Sequence, residues 1–165
     1  MSTLVYLSLG ANVGDCARNI REAVARLEGL GHVVAASSFY ETEPVEFTDQ
    51  AWFLNCAVAL ETTRTPAQLM AELLTIEREM GRQRTQNKGP RTIDIDILFF
   101  GDTVIDSPEL TIPHTAMQQR RFVLEPLAEI AAEARHPVLG KTVLDLLGAL
   151  PAGQTVRRIP IRARD

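Results

Sequence analysis

The segment from Arg91 to Phe100, RTIDIDILFF, sets the tightest limit on how this chain folds. Strand alternation puts Ile93, Ile95 and Ile97 on one face and Thr92, Asp94 and Asp96 on the other. So apolar a run predicts a central strand over 92–100, one face turned to a core and the other carrying paired carboxylates. Residues two apart in a strand are separated by roughly 6–7 Å, and two aspartates at that spacing repel one another unless something positive lies between them. Two readings follow. The pair is either a solvated strand face, or a set of hard oxygen donors for Mg²⁺, whose shell is completed by water and substrate phosphates. Arg82, Arg84 and Arg91, in a preceding loop that also holds Lys88, favour the second reading, because guanidinium forks match phosphate oxygens and offset charge during transfer. Each of them taken alone is also an ordinary solvated loop cation.

The rest of the chain supplies the partners of that strand. LVYLSL at 4–9 reads as a buried strand ending at Gly10, and Ile20, Val24 and Leu27 mark a helix from Asp15 to Glu28. Strands follow at about 32–41 and 53–61, separated by a polar loop carrying Pro44 and Asp49. Thr65-Pro66 makes an N-cap and first-turn pair for a helix whose face is Leu69, Leu73, Ile76 and Met80, ending near Gly81. After 92–100, Gly101-Asp102 predicts a turn into a short returning strand at 103–105. The order βαββαβ predicts an α/β (α+β) fold of ferredoxin-like type, an antiparallel sheet with both helices on one face and the other face free for a ligand. Additional C-terminal helices are expected at 121–134 and 142–149, the second capped by Thr142, before a polar tail over 151–165. A single domain over 1–165 with its core in about 1–150 is the expected organisation.

Composition narrows the function. At 165 residues a core forms without disulfides, and Cys16 and Cys56 lack CxxC spacing, so both read as small buried hydrophobes, with exposure the alternative for Cys16. The sequence has no apolar run of membrane length and no secretory leader pattern, so the expectation is a cytoplasmic protein with no membrane partner. A net charge of −4 argues against nucleic acid as a partner. The local cations, at 82–91 and again at Arg157, Arg158, Arg162 and Arg164, suit a small polyphosphate better than a long polyanion. A monomer is expected.

Other polar residues have two readings each. Gly10-Ala11-Asn12 lies at a strand–helix turn, but neither GxxxxGKS/T nor GxGxxG is present, so a Walker-type kinase is disfavoured and a structural turn is the simpler use. Glu77 is a helix-surface acid, or a group that orients an arginine or a nucleotide. Thr42-Glu43-Pro44-Val45 is followed by Phe53 and Asn55, an aromatic and an amide on one strand; an Asn inside an apolar strand needs a partner, either backbone or the edge of a heterocycle. Phe122, after Arg120-Arg121, is a core aromatic or the second face of a ring stack.

Gly10-Ala11-Asn12, Ser37-Ser38-Phe39-Tyr40, Phe53-Leu54-Asn55, Gly89-Pro90-Arg91-Thr92-Ile93-Asp94-Ile95-Asp96, Pro113-His114 and Arg121-Phe122-Val123-Leu124 with Pro126-Leu127 together resemble the 6-hydroxymethyl-7,8-dihydropterin pyrophosphokinases. The resemblance runs through most of the chain, and its GPRTxDxD element is highly specific. It implies transfer of diphosphate from ATP to the hydroxymethyl group of 6-hydroxymethyl-7,8-dihydropterin, releasing AMP, in folate biosynthesis. It implies two Mg²⁺ ions on Asp94 and Asp96, with Arg82 and Arg91 acting on the phosphates and Asp96 a candidate acceptor of the hydroxyl proton. The implied nucleotide contacts are Glu77, Arg82, Arg84, Arg91, Ile97, Thr111, His114 and Arg120. Those for the pterin are Thr42, Glu43, Val45, Phe53, Asn55, Asp94 and Phe122. The chain departs from the family pattern at Glu43, where proline is frequent, at Lys88 for tryptophan, at Glu109 for arginine and at Thr115 for tyrosine. The rival readings are another Mg²⁺-dependent nucleotidyl- or phosphotransferase, and a non-catalytic ligand-sensing module on the same fold.

Overall fold

The chain is described by a computed structural model covering residues 1–43, 52–81, 92–153 and 155–163. Local chemistry explains its helices. In α1 (Cys16–Leu27) the Asp15 carboxylate accepts from Arg18 N at 3.2 Å, and the buried stripe is Ile20, Ala23, Val24 and Leu27. In α2 (Pro66–Glu79) Thr65 and Gln68 form a reciprocal capping box, as Thr142 and Asp145 do for α4 (Val143–Gly148). A further helix, α3 (Arg121–Ala131), begins just after a 3₁₀ turn over Met117–Gln119.

The main sheet has the order β5-β1-β4-β3-β8, built from β1 (Thr3–Ala11), β3 (Ser38–Thr42), β4 (Phe53–Thr62), β5 (Asp94–Phe100) and β8 (Val156–Arg162), all antiparallel neighbours. β2 (His32–Ala36) also pairs with β4, beyond β3. The strand expected at 32–41 is therefore two strands broken at Ser37, and the break is fully hydrogen-bonded. Ser37 Oγ accepts from Ala57 N at 2.9 Å and donates to Ser38 O at 2.8 Å, while Ser37 N donates to Ala57 O at 2.9 Å. The approach of β2 to β4 depends on Gly31, where a Cβ would stand 2.2 Å from Glu61 O.

The two faces of the sheet are covered differently. Val5, Leu7, Leu9, Cys56, Val58, Leu60, Ile95 and Ile97 meet α1 and α2 in one core. Ala57, Leu98 and Phe99 meet α3 and α4 in a second. The ferredoxin-like arrangement is as expected. The second face, read from the sequence as free, is in fact covered by the C-terminal helices over its Ala57–Phe99 part.

Three further expectations change. β5 is an edge strand of the main sheet, not a central one. Its apolar character comes from cores on both faces, and its outer edge is occupied by Glu77, which accepts from Ile95 N at 2.8 Å, and by His114 N, which donates to Leu98 O at 3.1 Å. Gly101-Asp102 does turn the chain, with Thr103 N donating to Phe100 O at 2.9 Å. However, the following strand β6 (Ile105–Asp106) pairs with β7 (Thr111–Ile112) rather than returning along β5. The segment beyond residue 150, expected as a polar tail, contributes β8, whose place is fixed by backbone pairing to β3 and tolerates Pro160 on a sheet edge. Cys56 is buried and Cys16 half-buried, both as free thiols. Among the described residues no helix is long and apolar enough to cross a membrane.

Candidate active site

Strand register gathers the polar residues of the sheet into rows on the α3 side. Asp94 on β5 stands opposite Gly10 on β1, Gly10 opposite Asn55 on β4, and Asn55 opposite Tyr40 on β3. One pleat away, Asp96 stands opposite Ser8, and Ser8 opposite Ala57. Directly opposed residues share a face, so Asp94, Asp96 and Asn55 lie on one surface. Gly10 has no side chain, and the distance from β5 to β4 spans two strand spacings, roughly 10 Å. Between carboxylate and amide lies a narrow slot floored by backbone, with Gly10 itself buried.

Asp94 and Asp96 are half-exposed while the intervening Ile95 is buried, as alternation requires. Among the described residues no group of three or more His, Cys, Asp or Glu gathers around a point. A two-carboxylate donor set fits a hard cation that keeps water and takes phosphate oxygens. Glu77 is buried at 1% exposure, and its carboxylate holds the Ile95 N–H that lies between the two aspartates. Its observed work is on the strand that carries the pair.

At the other side of the slot, Asn55 Nδ2 donates to Thr42 Oγ1 at 2.8 Å, both residues being buried. A Cβ built on Gly10 would stand 2.8 Å from Asn55 Oδ1, so the amide leans over the glycine. Phe53 is half-buried and sits opposite Thr42. Glu43 is occupied elsewhere: its carboxylate accepts from Thr155 N at 2.8 Å, at the start of β8.

The rim on the α3 side carries His114, Arg120 and Phe122. Burial lowers the His114 pKa first, the Arg120 guanidinium lowers it further, and the Asp94 carboxylate partly offsets both. His114 Nδ1 accepts from Ala116 N at 3.2 Å, so the neutral ring carries its proton on Nε2. The Arg120 guanidinium lies 5.7 Å from the centroid of Phe122, a half-buried residue packed against the second core. Thr111 is half-buried on β7, its hydroxyl donating to Ser107 O at 3.4 Å. Ile97 is not brought to this surface: its side chain is buried in the α1–α2 core. Val45, Arg82, Arg84, Lys88 and Arg91 lie outside the described residues.

One cluster escaped sequence reading. Glu129 on α3 accepts from Ser38 N at 3.1 Å, from Ser38 Oγ at 3.2 Å and from the Tyr40 hydroxyl at 2.8 Å, and pairs with Arg158 at 3.6 Å. Burial, and then the Glu129 carboxylate, raise the Tyr40 pKa. The cluster ties α3 to the β3 end of the row. Ser38, Tyr40 and Thr42 alternate toward this face, which was the available signal; nothing local pointed to Glu129.

Fold and surface together define a split β-α-β domain that offers a carboxylate pair and a buried amide across a backbone-floored slot. Residues 6–132 match the family model described as 7,8-dihydro-6-hydroxymethylpterin-pyrophosphokinase (HPPK). The chain belongs to that family. It is 44% identical over 154 residues to the 2-amino-4-hydroxy-6-hydroxymethyldihydropteridine pyrophosphokinase of Methylorubrum extorquens, covering 92% of this chain and 96% of that protein. It is 41% identical over 152 residues to the folic acid synthesis protein fol1 of Schizosaccharomyces pombe, covering 90% of this chain but spanning only 21% of that protein's length. The crystal structure of Plasmodium falciparum HPPK-DHPS wild type with pteroate superposes with a TM-score of 0.72 at 20% identity, over 90% of this chain and 42% of that one. At that identity the likeness is one of fold.

Proposed function

We propose that the protein transfers the diphosphate of ATP to the hydroxymethyl group of 6-hydroxymethyl-7,8-dihydropterin, releasing AMP, as a step of folate synthesis. The observation that carries the reading is the row Asp94–Gly10–Asn55, which sets a carboxylate and an amide on one surface with only glycine backbone between them. The pterin edge meets the Asn55 amide and the Thr42 hydroxyl, with Phe53 and Phe122 beside the ring. His114, Arg120 and Thr111 lie on the nucleotide side. Asp94 and Asp96 would hold Mg²⁺ carried in with ATP, which supplies charge neutralisation at the phosphates and acidifies the attacking hydroxyl. The pterin oxygen forms a bond to the β-phosphorus as the bond to the α-phosphate oxygen breaks, and AMP leaves with the electron pair. The hydroxyl proton passes to Asp96. Holding the two substrates in line accounts for most of the rate, as in other phosphoryl transfers.

The test is identification of the nucleotide product from purified protein, ATP, Mg²⁺ and the pterin. AMP that appears only with both metal and pterin is the expected result. ADP, or pyrophosphate released with nucleotidyl transfer, overturns the reading.

Gly10→Ala provides a second check on the slot. The new methyl meets Asn55 Oδ1 at 2.8 Å, so the amide must turn and lose its bond to Thr42. A loss of about 1–2 kcal/mol of stability is expected, with KM for the pterin rising more than KM for ATP. Equal KM changes for both substrates in steady-state assays would separate the amide from the ring.

A further inference from the structure

β8, the edge strand beside β3, packs against the side of the site proposed for the pterin. Just before β8, Thr155 N donates to Glu43 Oε1 at 2.8 Å and Thr155 O accepts from Glu43 N at 3.4 Å. Val156 stands opposite Thr42 in the ladder, and Arg157 opposite Glu41, to which its guanidinium is paired at 3.1 Å. The same guanidinium lies 4.9 Å from the ring centroid of Trp52. Glu43 follows Thr42, and Trp52 precedes Phe53. Thr42 and Phe53 are themselves opposed, and Thr42 Oγ1 receives the Asn55 amide. Three successive residues, Thr155 and the first two of β8, therefore touch the chain immediately outside both members of the Thr42–Phe53 pair and back the threonine that orients Asn55.

We infer that Thr155–Arg157 is a positioning element for pterin binding, holding Thr42, Phe53 and Asn55 in place without touching the substrate. The inference rests on the proposed placement of the pterin at those residues. It assigns the C-terminal segment to the substrate side of the reaction. An exposed cation on an aromatic face contributes modestly, so the effect is one on affinity and not on the transfer step.

The test uses the full chain with Arg157→Ala, Arg157→Lys and Thr155→Pro, the last removing the N–H that reaches Glu43. Trp52 is the single tryptophan of the sequence, so its emission reports the Arg157 contact directly. Arg157→Ala is expected to shift that emission and weaken the pterin roughly three- to tenfold, in KM and in calorimetric binding with a non-hydrolysable ATP analogue and Mg²⁺. KM for ATP and kcat stay within about twofold, Lys recovers part of the loss through its retained charge, and Thr155→Pro acts in the same direction as Ala. Unchanged pterin affinity in both Arg157→Ala and Thr155→Pro would overturn the inference, as would an equal loss for ATP. Absence of AMP formation by the unaltered protein overturns the proposed reaction instead. Calorimetry of pterin binding then still decides the role of β8.

Discussion

Asp96→Ala is expected to lower kcat by about 10³-fold or more while leaving the melting temperature within a few degrees of the parent. Asp96 is half-exposed on the face opposite the α1–α2 core, and the strand is anchored by its neighbours Ile95 and Ile97, which stay as they are. Neither packed core loses an atom, so stability holds. Catalysis loses a hard oxygen donor at the point where the diphosphate must be neutralised. Steady-state kinetics beside a thermal melt decide the matter. A fall of ten degrees with proportionate loss of rate would make Asp96 a structural residue.

Glu77→Ala should produce the opposite profile. Its carboxylate is buried at 1% exposure and accepts the edge N–H of Ile95 at 2.8 Å. Truncation leaves that donor without its partner and opens a void between α2 and β5, at a cost of about 2–4 kcal/mol. For a chain of this size the loss corresponds to a drop of roughly 5–15 °C in melting temperature. Activity should fall with stability, because the Ile95 backbone sets the stance of Asp94 and Asp96. Glu77→Gln keeps an oxygen acceptor and should recover most of the stability. If Glu77→Ala loses ATP affinity with an unchanged melt, its work is on the nucleotide and not on the strand.

What the sequence disclosed follows from the reach of each signal. Asp15, Thr65 and Thr142 announced their helices because a cap is a contact within three residues. Asp94, Asp96 and Asn55 drew notice because polar groups interrupting apolar strands stand out against alternation, and register brings them to one surface. Periodicity reports which face a residue is on, but not whether the strand has a neighbour, so an apolar run covered on both faces and sealed by Glu77 looked central. β8 was silent for a related reason: VRRIPIR is held by ladder bonds to β3, and its side chains are mostly exposed. The link between Tyr40 and Glu129 joins residues 89 apart, beyond any local pattern.

The glycine between Asp94 and Asn55 also bears on how the site can be inhibited and how it can escape inhibition. A flat compound seated in the slot leans on peptide atoms of β1, which no point substitution deletes. Any residue other than glycine there drives its Cβ against the Asn55 amide, 2.8 Å away, and so displaces the group proposed to meet the pterin. Resistance to a ligand that takes most of its contact from that floor would have to arise at the rim, at His114, Arg120 or Phe122, where a change also touches the contacts proposed for the substrates.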